Sequence, residues 1–283
     1  MDTHDSVVRA ITNDGGFRVM TALCTETAQE ALRCQGGTGT NATLLANLIT
    51  GAILVRETMA PAYRVQVNLA GKSRRGQIVA ESNPDGTARG LIRTNEDEPL
   101  ELGTGAMLQV MRALPGVPPQ RGIIEIPKGA TVSEMLTVYM KSSEQIDTMV
   151  SVGSKIEGDQ VVYAGGYVVQ LLPELEEGPL IVMRERLKDF RDVAQLLDGA
   201  AASPKKLTEE LLYAMDYTLL DESALSFGCA CSRVRVMASL ASLPREDVED
   251  LLKSGENLSM SCDYCGREYL VQPEELKGLR DPT

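Results

Sequence analysis

An α+β fold is predicted for this chain: an N-terminal core of mixed sheet and helix, a helical linker, and a small cysteine-bearing C-terminal domain. Three observations predict it. Short β-rich runs separated by turn signals fill the first 173 residues. Strands and helices there do not alternate in the regular pattern of a parallel α/β sheet. The texture then changes twice, to acidic amphipathic sequence over 174–225 and to a cysteine-rich tail over 226–283.

Taken in order, strand character appears at 17–24, 63–69, 76–80, 122–126 and 160–171, with Asn83-Pro84-Asp85-Gly86 as a turn between hairpin arms. Leu44, Leu45, Leu48, Ile49, Ala52, Ile53 and Val55 crowd a helical pattern, with Asn41 as the expected N-cap. A second helix is expected from Thr131 or Ser133 to Lys141, capped by one of those two hydroxyls.

Residues 174–222 hold twelve acidic against six basic side chains, about half of the net charge of -12. Met183, Leu187, Phe190, Ala194 and Leu197 recur at three- and four-residue steps, and so do Leu207, Leu211, Met215 and Leu219. Each stripe needs an apolar partner. Between them, Gly199 and Pro204 suit the end of one helix and the start of the next.

The tail contains Cys229-Ala230-Cys231 and Cys262-Asp263-Tyr264-Cys265, thirty residues apart. Four thiolates form one closed tetrahedral site for a single Zn²⁺, so Cys229, Cys231, Cys262 and Cys265 are the expected metal ligands and the tail a zinc-binding domain. A segment of roughly sixty residues buries little apolar surface and commonly needs a metal to fold. A passive staple is one reading. The Cys-x-Cys spacing admits another, because a disulfide across it is strained and labile. Arg233, Arg235 and Arg267 are near enough in sequence to offset the thiolate charge, or are ordinary surface cations.

A pI near 4.7, three Phe and no Trp argue against nucleic acid as the main partner. No run approaches the ~18 apolar residues of a membrane span, and Met1 is followed by Asp2 and His4 rather than a basic, apolar leader. A cytoplasmic location and no membrane partner are therefore expected. In a reducing compartment, paired cysteines serve as metal ligands or redox sensors more often than as permanent disulfides. Ala70-Gly71-Lys72-Ser73 ends like a phosphate loop, but Gln66 stands where the earlier glycine belongs. Gly36-Gly37-Thr38-Gly39 reads as a flexible loop. Cys24 reads as a buried small side chain and Cys34 as a helix-end residue. His4 on a terminus supports no catalytic triad, and Glu174, Glu176 and Glu177 read as solvated charge, so no catalytic residue is expected.

Zinc would join segments thirty residues apart, whereas the disulfides most accessible after its loss, Cys229–Cys231 and Cys262–Cys265, close only tiny loops. Such loops remove little chain entropy and cannot replace the long-range cross-link. Oxidation should therefore unfold the tail and expose neighbouring apolar stripes to other apolar surfaces.

Phe227-Gly228-Cys229-Ala230-Cys231-Ser232-Arg233, then Cys262-Asp263-Tyr264-Cys265-Gly266 followed by Tyr269, resemble the heat-shock protein 33 family of redox-regulated holdase chaperones. Tyr139-Met140-Lys141-Ser142-Ser143-Glu144-Gln145 and Ala164-Gly165-Gly166-Tyr167-Val168-Val169-Gln170-Leu171-Leu172-Pro173 also look like family segments, so the resemblance covers essentially the whole chain. It implies a substrate-binding core, a metastable linker and a zinc redox switch holding one zinc per reduced chain. It further implies that oxidants, often with heat, release the zinc, form the two local disulfides, unfold the linker and promote a homodimer that binds unfolded clients without ATP. Two departures concern the core: Ala70-Gly71-Lys72-Ser73 replaces a Gly-Asp-Gly-Pro-like turn, and a His-Pro-like element near Asn41 is missing. Two other functions compete, a thiol–disulfide oxidoreductase using Cys262 and Cys265 and a zinc-ribbon binding adaptor. The first lacks a thioredoxin-like sequence setting.

Overall fold

The computed structural model describes residues 4–72, 76–94, 98–172, 177–198 and 202–280. Ser73, Glu174 and Glu176, and Gly199 with the two residues after it, lie outside the described residues. The fold is α+β, and its two compact units are Met1–Gly228 and Cys229–Thr283.

In chain order the first unit runs β1 (Ser6–Thr12), β2 (Phe17–Leu23), α1 (Thr25–Gln35), α2 (Gly39–Glu57), β3 (Arg64–Ala70), β4 (Gln77–Ser82), β5 (Thr87–Arg93), β6 (Met107–Ala113), β7 (Gln120–Glu125), α3 (Val132–Tyr139), β8 (Thr148–Glu157) and β9 (Gln160–Leu171). It continues through α4 (Glu177–Asp189), α5 (Ala194–Leu197), α6 (Pro204–Leu211), β10 (Tyr217–Ala224) and β11 (Ser226–Phe227). The strands make a five-stranded sheet, β10-β1-β2-β9-β8, and a six-stranded sheet, β11-β5-β4-β3-β6-β7. Every pairing is antiparallel except β11 on β5.

Helix α2 packs against strands of both sheets and is apolar nearly all round, as a core helix must be. Leu45, Leu48, Ile49, Ala52, Ile53 and Val55 are fully buried. Asn41 is not the N-cap; Thr38 is. Asn41 sits inside the first turn, where its amide donates to the Glu98 carbonyl at 2.9 Å and accepts from the Leu100 N–H at 2.8 Å. A residue that satisfies a neighbouring loop has no need to satisfy its own helix. The Gly36–Gly39 stretch is a tight α1–α2 turn, with Gly36 in the left-handed conformation at φ +64°. Lys72 lies in the loop between β3 and β4, with its N–H on the Glu101 carbonyl, and that loop leads into a strand rather than a helix.

Thr131 caps α3 in a full capping box with Glu134. A π-helical turn, Met140–Glu144, follows, closed by Gln145 at φ +57°. The Tyr139 hydroxyl donates to Glu144, which also pairs with Arg112, so the Tyr139–Gln145 motif is a folded knot on the core. Gly166 is equally structural. A Cβ there would meet the Ser151 carbonyl oxygen at 2.3 Å.

Helix α1 is capped from a distance. Cys24 offers no side-chain cap, and Asp5 instead accepts from the N–H groups of Glu26 (3.2 Å) and Thr27 (2.6 Å) and from the Thr27 hydroxyl. Burial raises its carboxyl pKa against the pull of those hydrogen bonds. Asp5→Ala is expected to destabilise the first unit by about 1–3 kcal/mol, because buried donors lose their acceptor. A lower urea midpoint at unchanged slope is the measurement.

The linker departs from its predicted form. It is helical only as far as Leu211; Ala214 then adopts a left-handed turn at φ +58° and residues 217–224 become β10 on the open edge of β1. The stripe therefore breaks: Leu207 and Leu211 are buried, whereas Leu219 is 44% exposed. Arg9 on β1 supplies the competing force, donating to Asp221 at 2.8 Å and Ser223 at 2.9 Å while also pairing with the buried Glu57. Local helical periodicity yields to an unpaired edge and a charge network.

Both stripes find their partner within this unit. Met183, Leu187, Val193, Leu197, Leu207, Leu211 and Leu212 cover Ala10, Phe17, Val19, Leu23, Tyr163, Tyr167 and Val169 of the five-stranded sheet. Three core hydroxyls clip linker carbonyls: Tyr167 to Phe190 (2.8 Å), Ser151 to Arg191 (2.8 Å) and Thr21 to Pro204 (2.7 Å).

The second unit contains α7 (Arg233–Ala241), α8 (Arg245–Ser254), the hairpin β12 (Leu258–Ser261) and β13 (Glu268–Val271), and α9 (Pro273–Arg280). Its core is small. Leu240, Val248, Val271 and Leu276 are its buried apolar side chains among the described residues.

Candidate metal centre

Two local devices bring the tail cysteines together. Cys229 and Cys231 occupy the extended stretch just before α7, whose start is set by the Ser232 side chain accepting the Arg235 N–H. Cys262 and Cys265 occupy the turn between β12 and β13. There the Cys262 N–H donates to the Arg267 carbonyl and the Gly266 N–H to the Cys262 carbonyl, at 2.9 and 2.8 Å. Gly266 makes that turn at φ +68°, which reverses the chain directly after Cys265.

The four sulfurs all lie within 4.8 Å of one another, and each side chain is half-buried. Two contacts cross between the pairs: Cys229 to Cys262 at 3.6 Å and Cys231 to Cys265 at 3.4 Å. Four sulfurs around a tetrahedral ion at about 2.3 Å would stand about 3.8 Å apart, so this cluster is close enough to hold one metal ion. An all-thiolate tetrahedral set suits zinc, or the iron of an iron–sulfur centre.

The thiols do not share charge evenly. Burial pushes Cys265 up to about 12 and also raises Cys262. Burial opposes ionisation of Cys231 too, yet hydrogen bonds from Tyr269 and the neighbouring thiols bring it down to about 7. A metal taking all four sulfurs must displace the remaining protons, which makes binding weaker in acid.

The three arginines divide. Arg233 pairs with Glu275 and donates to the Leu270 carbonyl at 3.0 Å, fastening α7 to α9 and the end of the hairpin. Nearby Tyr269, then the charge of Cys231 and Cys265, raise the pKa of Arg267. Tyr269 completes the surroundings by donating its hydroxyl to the Cys231 sulfur at 3.2 Å. Sequence reasoning assigned Tyr269 no role, although a period of two from Arg267 places both side chains on one face of the hairpin arm.

Cys24 and Cys34 stand apart from this cluster. Cys24 is fully buried beside the Thr50 hydroxyl, and burial raises its thiol far above the ordinary range; Cys34 is half-buried in the last turn of α1. His4 is exposed. Among the described residues no helix is long and apolar enough to cross a membrane.

The family model for the Hsp33 protein matches residues 5–272. The 33 kDa chaperonin of Syntrophotalea carbinolica is 31% identical, over 97% of this chain and 99% of its own. The 33 kDa chaperonin of Geobacter sulfurreducens is 30% identical over 98% and 95%, and that of Bacillus subtilis 27% over 99% of each. A crystal structure of the 33 kDa chaperonin (heat shock protein 33 homolog) from Thermotoga maritima superposes with a TM-score of 0.83, at 24% identity and 98% coverage of both chains.

Proposed function

The chain belongs to the Hsp33 chaperone family, and on that premise we propose that it is a redox-regulated, ATP-independent holdase whose switch is the Cys229, Cys231, Cys262 and Cys265 cluster. The observation that carries this reading is the gathering of all four sulfurs, two from each segment, within 4.8 Å of one another. A zinc ion bound there would hold all four sulfurs as thiolates and link chain segments thirty residues apart.

Oxidation to Cys229–Cys231 and Cys262–Cys265 disulfides would satisfy the same four sulfurs locally and release the long-range link. Gly228 N–H on the Ala88 carbonyl and β11 on β5 form the last anchor of the first unit before Cys229. Loss of structure after Cys229 would leave that two-residue strand to hold the chain end. The linker behind it lies on the sheet through seven buried apolar side chains, Met183, Leu187, Val193, Leu197, Leu207, Leu211 and Leu212, whose burial is what release would give up. Its release would uncover Phe17, Val19, Tyr163, Tyr167 and Val169 as an apolar sheet face for unfolded or partly folded clients. In this reading the protein is cytoplasmic, pairs as a homodimer when oxidised, and catalyses no reaction. The oxidoreductase alternative is disfavoured because Cys262 and Cys265 sit in a β-hairpin turn rather than at the start of a helix following a strand.

The test is one sample measured before and after peroxide with mild heat for zinc content, far-UV circular dichroism and suppression of client aggregation. The expected result is release of one zinc per chain, loss of helix, and gain of anti-aggregation activity together. Full activity in the reduced, zinc-bound protein would overturn the switch.

A further inference from the structure

We propose that Tyr269 is a brake on oxidation of the cysteine cluster: its hydroxyl donates a hydrogen bond to the Cys231 sulfur. The proposal rests on the reading of the cluster as a zinc-bound, peroxide-sensitive switch.

The Tyr269 hydroxyl oxygen lies 3.2 Å from the Cys231 sulfur. A zinc-bound cysteine sulfur is a thiolate, which only accepts, so the phenol is the donor of the pair. Tyr269 cannot readily drift from this position, since it is paired with Met260 in the β12–β13 ladder and Arg267 closes the same hairpin turn on Cys262.

The chemistry makes this contact matter. In oxidation by hydrogen peroxide, a lone pair on the Cys231 sulfur attacks one peroxide oxygen, the O–O bond breaks, and the departing hydroxide takes a proton to become water. The sulfur loses two electrons and carries the new S–OH group. A neighbouring cysteine thiol then attacks that sulfur, forming the S–S bond and releasing the oxygen as a second water. The first step needs the electron density that the phenol draws toward its own hydrogen. A hydrogen bond to a charged acceptor is among the stronger ones, and it weakens as the sulfur loses charge in the transition state. Tyr269 therefore stabilises the resting thiolate more than the attacking one.

Tyr269→Phe keeps the ring and removes the donor. In the full-length, zinc-loaded protein at fixed peroxide, zinc release followed with a chelating dye is expected to accelerate roughly three- to tenfold, equivalent to about 0.6–1.4 kcal/mol of barrier. Cobalt(II)-substituted protein supplies a readout that mere loosening would not move: the sulfur-to-cobalt charge-transfer band should shift to lower energy in Tyr269→Phe, because the sulfur lone pair loses its stabilising hydrogen. Equal release rates and an unshifted band in Tyr269→Phe, with a peroxide-sensitive wild type, would overturn the role of Tyr269 and leave the switch standing. A wild type that keeps its zinc in peroxide would overturn the switch itself, and with it the brake.

Discussion

Cys262→Ser is expected to empty the metal site and unfold residues 229–283 while the two sheets of the first unit persist. The magnitudes decide this. Leu240, Val248, Val271 and Leu276 contribute about 1.5–3 kcal/mol each by burial, whereas an all-thiolate zinc site contributes about 10–16 kcal/mol of apparent binding energy to a small metal-dependent unit. Without the fourth ligand the hairpin turn at Cys262–Gly266 retains its two short hydrogen bonds but no tie to the Cys229–Cys231 segment. The check is metal content together with far-UV circular dichroism, where the signal of α7, α8 and α9 should disappear. Retention of those helices in a zinc-free variant would show that the tail folds on packing alone, and the proposed release on oxidation would lose its cause.

Leu211→Ala is expected to produce a protein that binds clients while still reduced and zinc-bound. Leu211 is fully buried in the layer between α6 and the five-stranded sheet, and a Leu→Ala truncation at such a site costs about 2–5 kcal/mol. That loss falls on the linker, which covers the outer face of the sheet, rather than on the α2-centred core between the sheets. Hydrogen exchange should accelerate over 204–212 with little change in α2, and aggregation of an unfolded client should be suppressed without peroxide. Faster exchange with no gain in reduced-state activity would separate linker release from client binding and move the client surface elsewhere.

Legibility in the sequence followed the range of the interactions. The α3 start was legible to within two residues, Thr131 or Ser133, because capping hydroxyls act locally, and the reciprocal bond with Glu134 decides for Thr131. Strand β9 at 160–171 was legible from its β-rich run. Asn41 was misread as a cap because its real partners, Glu98 and Leu100, are nearly sixty residues away. Strand β10 was misread as helix for a related reason: its apolar spacing is helical, but the open edge of β1 and the Arg9 side chain wait more than two hundred residues upstream. The cap on α1 was invisible since Asp5 reaches it across twenty-two residues.

That these four cysteines would come together was legible, because thiol chemistry and pair spacing are properties of the residues and not of their surroundings. By itself the sequence determined the α+β class, the four candidate ligands, and the presence of two apolar stripes needing partners. Only the tertiary structure decided that those stripes cover the five-stranded sheet, that the sulfurs approach across the pairs, and that Tyr269 stands against Cys231. Periodicity records which faces are apolar and spacing records which ligands travel together. What each face or ligand meets is set by the register of strands and helices distant in the chain, and that register exists only once the chain is folded.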